Sequence, residues 1–307
     1  MLRFLDQVNT IVGMLLFLAY LYQVFYTLYG LAFCRRDRRK AARQTPAKPS
    51  RRYAALICAR NEESVIGELI SSLRAQDYPA ELLDIYVLAD NSTDATARVA
   101  RQAGAIAFER FNPYQVGKGY ALNELFSQIR SRRPLSDYDA FLVFDADNIV
   151  DSHFVSAMDR TFAQGYDVLT SYRNSKNFAS SWVSAGYSIW FLREARFLNY
   201  PRMKLHTNCA ISGTGFLVSS KLIEENGWPY HLLTEDIQFS TVCATKGWRI
   251  GYCDDAILYD EQPVTFSQSW RQRMRWAKGF YQVNAHCGMP LLRGCLRGPI
   301  RFSCYDM

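Results

Sequence analysis

The chain has 307 residues, 49% hydrophobic and 14% aromatic, with a net charge of +7. That length and composition support a sizeable core in one large α/β domain or two modest ones. The charge speaks against a nucleic-acid binder, because the nine basic residues and one acid from Arg35 to Arg52 carry +8 and leave the remainder near neutral. The eight cysteines form no Cys-x-x-Cys pair and no zinc-spaced cluster with histidine, which reads as buried thiols in a reducing compartment.

From Val8 to Cys34 no charged residue occurs. As a helix this run reaches about 40 Å, against a hydrocarbon core of about 30 Å. Residues 1–34 are therefore expected to form an N-terminal transmembrane helix, with Tyr20, Tyr22, Tyr26 and Tyr29 turned towards other helices. The basic run follows at once, while only Arg3 and Asp6 precede. The positive-inside rule then places the N-terminus outside and the bulk of the chain in the cytoplasm. A cleaved signal peptide would carry its positive charge at the other end; a buried core helix is the remaining alternative. Residues 35–52 read as a basic juxtamembrane linker suited to anionic lipid.

Beyond the linker, strand and helix alternate. "YAALICA" (53–59), "DIYVLAD" (84–90), "AIAFER" (105–110) and "DAFLVFD" (139–145) are apolar runs that predict strands. Between the first two, Val65, Ile66, Leu69, Ile70 and Leu73 keep helical spacing. Ser92-Thr93-Asp94 signals a helix start, and Gly104 a helix end. Runs without period-2 alternation, separated by helices, predict a parallel sheet covered on both faces, with ligands at the carboxyl ends of its strands. Asp90 and Asp145 lie at such ends.

Asp145 and Asp147 follow four apolar residues in "FLVFDADN". Two carboxylates one residue apart point the same way in an extended segment and repel. A hard divalent cation, Mg2+ or Mn2+, resolves the repulsion; a capped loop is the alternative on spacing alone. Asp137-Tyr138-Asp139 has the same spacing but precedes the strand and reads as a solvated turn.

Seven segments in order, "LICARNEE", "VLADNSTDAT", "GKGYALN", "FLVFDADN", "SGTGFLVS", "LLTEDIQFS" and "QRMRWAKG", make residues 53–283 resemble the membrane-embedded family 2 glycosyltransferases, the group of the cellulose, chitin and hyaluronan synthases. The resemblance implies a GT-A type α/β fold and an inverting transfer from a nucleotide-activated sugar, usually a UDP-sugar. By position it implies that Asp90 contacts the uridine and that Ala59, Arg60 and Glu62 line the nucleotide, with Lys118 beside it. It gives Asp145 and Asp147 the diphosphate through Mn2+ or Mg2+. Gly213, Thr214 and Gly215 fall near the donor sugar and acceptor, and Asp236, in Thr234-Glu235-Asp236, is the general base. Gln272, Arg275 and Trp276 lie by the diphosphate and the acceptor end. Ala89 departs from the pattern, since many relatives carry a second acid there, so Asp90 and Asp94 must serve without it.

Thr234 reads as an N-cap, placing Asp236 in a first helical turn where the helix dipole favours its ionised form. Asp236 is then expected to be a weak base, with proton transfer late in the reaction. Each motif also has a plainer reading. Thr-Glu-Asp alone is a helix start, Arg275-Trp276 alone a surface cation–π pair, Lys118 a solvated helix start and Glu235 a structural acid. The four histidines are not spaced as ligands.

Residues 284–307 mix Leu, Ile and Phe with Arg293, Arg297 and Arg301 and suit an amphipathic helix on a membrane surface, with the chain expected to be truncated before further membrane helices. The expected function is polymer synthesis from a cytoplasmic UDP-sugar on a glycan acceptor. Glycolipid synthesis on a lipid acceptor is the alternative, and a catalytically inert tethered scaffold the rival from another class.

Overall fold

The computed structural model describes residues 2–41 and 50–307. The apolar N-terminal run is helical, in two pieces rather than one: α1 (Leu2–Tyr20) and α2 (Tyr22–Ala41) meet at a turn at Leu21. Arg3–Cys34 is long and apolar enough to cross a membrane, judged by length and composition. Most of the basic linker, residues 42–49, lies outside the described residues. Its last two arginines are bound to the domain that follows: Arg51 pairs with Asp159 at 3.1 Å and Arg52 with Asp84 at 3.0 Å.

The core follows in chain order as β1 (Tyr53–Ala59), α3 (Ile66–Arg74), β2 (Leu83–Asp90), α4 (Thr96–Gln102), β3 (Ile106–Arg110), α5 (Lys118–Arg130), β4 (Ala140–Asp145) and β5 (Ile149–Val150). Next come α6 (Phe154–Phe162), β6 (Val168–Ser175), α7 (Trp182–Glu194), α8 (Tyr200–Lys204), β7 (Phe216–Ser219), α9 (Ser220–Asn226), α10 (Glu235–Lys246), β8 (Ile250–Asp260), α11 (Phe266–Gly294) and α12 (Arg301–Asp306). Position 283 lies inside α11. A π-helical segment, Ala195–Asn199, joins α7 to α8. The Asn199 side chain bonds both backbone groups of Ala210, tying that segment to the approach to β7.

One eight-stranded sheet has the order β3-β2-β1-β4-β7-β6-β8-β5. The four expected strands form, and pair in parallel. The far half is mixed, because β7 runs antiparallel to β4 and β6. Apolar residues cover both faces. Leu56, Leu88, Phe141 and Val143 pack under α5 and α10 on one side, while Ile57, Val87, Leu142 and Phe144 meet α3 and α6 on the other. Continuous apolar strands follow directly from that two-sided burial. Asp139 of the expected solvated turn accepts the Arg52 N–H at 2.8 Å, a structural use.

α2 leans on this domain. A Cβ on Gly30 would stand 2.6 Å from the Arg196 carbonyl, so α2 crosses the π segment at close range. Tyr26 is buried, and it and Tyr22 donate to Asp306, which also pairs with Arg202 at 2.7 Å.

Close approach also explains "GKG". Gly117 has φ +135°, a region that favours glycine. Gly119 passes the chain at Tyr230 so tightly that a Cβ would overlap the Tyr230 carbonyl. Gly119→Ala is expected to lower stability by roughly 3 kcal/mol, read as a lower midpoint in urea unfolding, by forcing α5 and with it Lys118 away from the sheet edge.

Candidate active site

Parallel pairing brings the carboxyl ends of β1, β2 and β4 to one edge. Cys58 is in register with Asp145, and Ala59 with Ala89, one residue before Asp90. The charges of Lys118, Asp145, Asp90 and Glu235 all act on the Cys58 thiol, whose burial pushes it up to about 12 and leaves it inert. Lys118, the first residue of α5, reaches across this edge. Its ammonium donates to Asp145 and, at 2.7 Å, to the Gly213 carbonyl. A Cβ on Gly213 would lie 3.6 Å from Asp236 Oδ2. Asp145, Lys118, Gly213 and Asp236 therefore line one continuous wall.

Asp147 is half-buried, and its carboxyl is pushed up to about 7, first by burial and then by the charges of Asp260, Asp145 and Glu62. Glu62 is raised by burial and by Asp145, Asp94 and Glu261. So many anions without enough cations fit a bound divalent ion. Among the described residues no three His, Cys, Asp or Glu side chains gather as a complete ligand set. Asp145 and Asp147 suit a hard cation that takes two carboxylates here and its remaining oxygens from elsewhere.

The Thr234-Glu235-Asp236 segment corrects two expectations. Thr234 stands at the N-cap position of α10, but its side chain makes no capping bond and its hydroxyl is buried without a partner. α11 explains this, because Gly279 packs against the Thr234 side chain, where a Cβ would clash. Burial also raises the Asp236 carboxyl and outweighs the helix-start N–H of Ile237 and the charges of Lys118 and Arg173, which lower it. Asp236 is thus a stronger base than its place in a first turn suggests. Glu235, buried beside it, is pushed up to about 7 by desolvation and by Asp236.

On α11, Gln272 joins Asp147, Glu261 and Gln262 in lining a cavity of about 300 Å³, and its Oε1 is buried without a partner. Trp276, one turn on, packs edge-on against Tyr187 of α7 at 5.9 Å. Arg275 is exposed, and it is Arg273 that stacks on Tyr187, at 5.0 Å. On the nucleotide side, Asp90 is buried and paired with Arg110 at 2.7 Å. Ala59 is buried, Arg60 exposed and Glu62 half-buried. Asp94 is taken up by local structure, accepting from the Thr96 and Glu63 amides at 3.0 and 3.1 Å. It is therefore no substitute for the acid missing at Ala89.

Four participants had no role on sequence grounds. Arg173 on β6 donates to Asp260 and to the Ser212 carbonyl. Asn148 accepts from Thr214 and the Asp145 amide. Burial raises Glu194, at the end of α7, and the charges of Arg173, Arg202 and Asp236 act on it. Asn148 is adjacent to the acid pair and could have been noticed there. The others lie up to 112 positions from their partners.

A family model described as "Glycosyltransferase like family 2" matches residues 49–279. The chain belongs to this family. It is 27% identical over 251 residues to "Probable glycosyltransferase YdaM" of Bacillus subtilis, covering 74% of this chain and 55% of that one. It is 26% identical to a β-monoglucosyldiacylglycerol synthase of Synechocystis (76% and 49% covered). With a poly-β-1,6-N-acetyl-D-glucosamine synthase of Staphylococcus epidermidis it shares 25% (74% and 54% covered). The chain spans about half the length of these curated relatives. In fold it is similar to a mannosyltransferase of Pyrobaculum calidifontis solved with GDP-Man and Mn2+, at TM-score 0.61, 18% identity, 94% of this chain and 79% of that one. The corresponding values for S. aureus TarS with UDP-GlcNAc are 0.53, 18%, 78% and 66%. The GT-A type fold is thereby established.

The raised Glu235 carboxyl makes a pH prediction. A folded-state value near 7 against about 4.5 unfolded means that the native state holds an extra proton between the two, so stability falls as pH rises through that window. Glu235→Gln should leave the unfolding midpoint unchanged at pH 4.5 and raise stability at pH 8 by on the order of 2 kcal/mol, read by thermal unfolding without ligand. An unchanged pH slope in the variant would refute the assignment.

Proposed function

We propose that this enzyme transfers a sugar with inversion from a UDP-sugar to a hydroxyl acceptor at a membrane surface, extending a β-linked polysaccharide or oligosaccharide. The observation that carries this reading is the shared wall of Asp145, Lys118, Gly213 and Asp236, with Asp147 and Glu235 beside it. One inverting displacement needs a base on the acceptor side and charge neutralisation on the donor side, and that wall carries groups suited to both.

Asp236 takes the acceptor hydroxyl proton as its oxygen bonds to the anomeric carbon and the bond to the diphosphate oxygen breaks. The raised carboxyl favours that uptake, so proton transfer need not await complete departure of the leaving group. Gln272 and Arg275 receive the departing diphosphate, a guanidinium being suited to phosphate oxygens, and Trp276 offers a flat apolar face to a sugar. Asp90, Ala59, Arg60 and Glu62 border the nucleotide. Gly213, Thr214 and Gly215 carry the acceptor-side backbone. Lys118 holds the edge between the two sides, and Glu235, its carboxyl raised to about 7, sits beside the base. Mn2+ or Mg2+, held by Asp145 and Asp147, would neutralise charge developing on the diphosphate. α1 and α2 would anchor the enzyme among membrane lipids, N-terminus outside and catalytic part cytoplasmic; the exposed Leu15, Phe17, Leu18, Leu28 and Leu31 support this.

A lipid hydroxyl as acceptor is the second reading, and one observation favours it. Trp182, Phe266 and Trp270 form an exposed aromatic row, with ring centroids 6.5 and 6.1 Å apart, on the helices that carry Tyr187 and Trp276.

Asp236→Asn should lower transfer from a panel of UDP-sugars by roughly a thousandfold while UDP binding, read calorimetrically, persists; equal turnover would overturn the base assignment. Radiolabelled sugar in a long water-soluble chain supports the polymer reading. Label confined to an organic-soluble product supports the lipid one.

A further inference from the structure

The acid turn and the Ser212–Gly215 loop lie far apart in the chain, yet one buried amide joins them. Asn148 accepts through Oδ1 from the Asp145 N–H at 3.1 Å and from the Thr214 hydroxyl. Through Nδ2 it donates to Asp260 at 2.8 Å and to Asp147 at 3.3 Å. Thr214 closes the triangle, its hydroxyl oxygen accepting from the same Asp145 N–H at 2.9 Å. Asp260, 2% exposed, also accepts from Nε of Arg173 at 2.9 Å, from its Nη2, and from Gln262 at 2.8 Å. Nη1 of Arg173 then donates to the Ser212 carbonyl at 2.7 Å, and the guanidinium rests 4.0 Å from the centre of the Phe191 ring.

The bonds thus form a closed path: Ser212, Arg173, Asp260, Asn148, Thr214. A carboxylate this deep is costly unless paired, and the guanidinium balances it. Only a donor can face the Asp260 carboxylate, so the Asn148 amide is held in one sense, with its oxygen towards Asp145 and Thr214. Rotating that amide would break contacts to the acid turn and the glycine loop together.

We propose that Asp260 and Asn148 are positioning residues that couple the Asp145–Asp147 turn to the Ser212–Gly215 loop, so that the donor side and the acceptor side of the cleft are shaped as one unit. Naming those sides rests on the proposed glycosyl transfer; the coupling is measurable without it.

A charge-swap cycle tests the coupling. Asp260→Asn turns an amide against the Asn148 amide, and Asn148→Asp sets two buried carboxylates face to face. The double variant Asp260→Asn/Asn148→Asp restores a donor–acceptor pair with the carboxylate moved one place along the path. Ligand-free amide hydrogen exchange is expected to speed up about tenfold or more in both single variants, over 145–148 and 212–215 together. The double variant should exchange more slowly than either single variant, though short of wild type, because the Asn148→Asp carboxylate also meets Asp147. Loosening confined to one segment, or a double variant as loose as the worse single, overturns the proposal.

With Mn2+ and UDP as probes, each single variant should lose about tenfold of the Mn2+-dependent gain in UDP affinity and keep its UDP affinity in EDTA. A parallel loss in both conditions is what a merely structural role produces, and it would overturn the assignment. If the single variants do not fold, Thr214→Val removes the shared hydroxyl at nearly constant shape and should loosen the same two segments; unchanged exchange there counts equally against it. Exchange measured without ligand keeps failure of the coupling distinct from failure of the nucleotide-sugar reading, which wild-type UDP binding tests alone.

Discussion

Mutual repulsion of carboxylates gathered at one sheet edge is the constraint around which this protein is arranged. Parallel strands deliver their ends to the same place, and here several of those ends are acidic. Asp90, Asp145, Asp147, Glu235, Asp236 and Asp260 would drive one another apart or bind protons unless countered. Three cations do the countering from within the fold: Arg110 at Asp90, Lys118 at Asp145 and Arg173 at Asp260. The compensation is partial. Asp147 and Glu235 remain pushed up to about 7, and a surplus of negative charge facing a cavity is what a metal ion or a polarised hydroxyl can answer. Pre-organised charge of this kind is effective because it needs no rearrangement when the reaction occurs.

Small residues decide how closely the surrounding elements approach. Gly119 admits α5 to the Tyr230 backbone, and Gly279 admits α11 to Thr234. The second contact sets the height of Gln272 and Trp276 relative to Glu235 and Asp236. It also displaces the Thr234 hydroxyl from the capping role its position suggests. Packing at a glycine has here overridden a local hydrogen-bond preference worth about 1 kcal/mol.

Much of this was legible in the sequence. The runs from Tyr53, Asp84 and Ala140 announce buried strands because both faces of the sheet are covered, and the acids at their ends announce the edge. The apolar stretch up to Cys34 gives a membrane-length helix by length alone, although the turn at Leu21 left no mark in composition. What stayed hidden depends on distance along the chain. Nothing local to Arg173 points to Asp260, and nothing around Asp90 points to Arg110, since ion pairs between strands carry no spacing rule. The raised Asp236 carboxyl was hidden for a related reason. A first-turn position argues for easy ionisation, while desolvation comes from residues elsewhere in the chain. The reversed strand β7 was equally silent, because its three apolar residues, Phe216–Val218, look alike in either direction.

The grip of Tyr22, Tyr26 and Arg202 on Asp306, together with the tight crossing at Gly30, makes α2 a rigid strut rather than a tether. Were that strut to stand in a bilayer, as proposed, the cleft would be fixed in altitude and azimuth above the lipid and would not sweep the surface on a flexible leash. Substrates of different length would then have to adjust to the enzyme, and the geometry of the mount would act as a ruler for which acceptor hydroxyl comes level with Asp236.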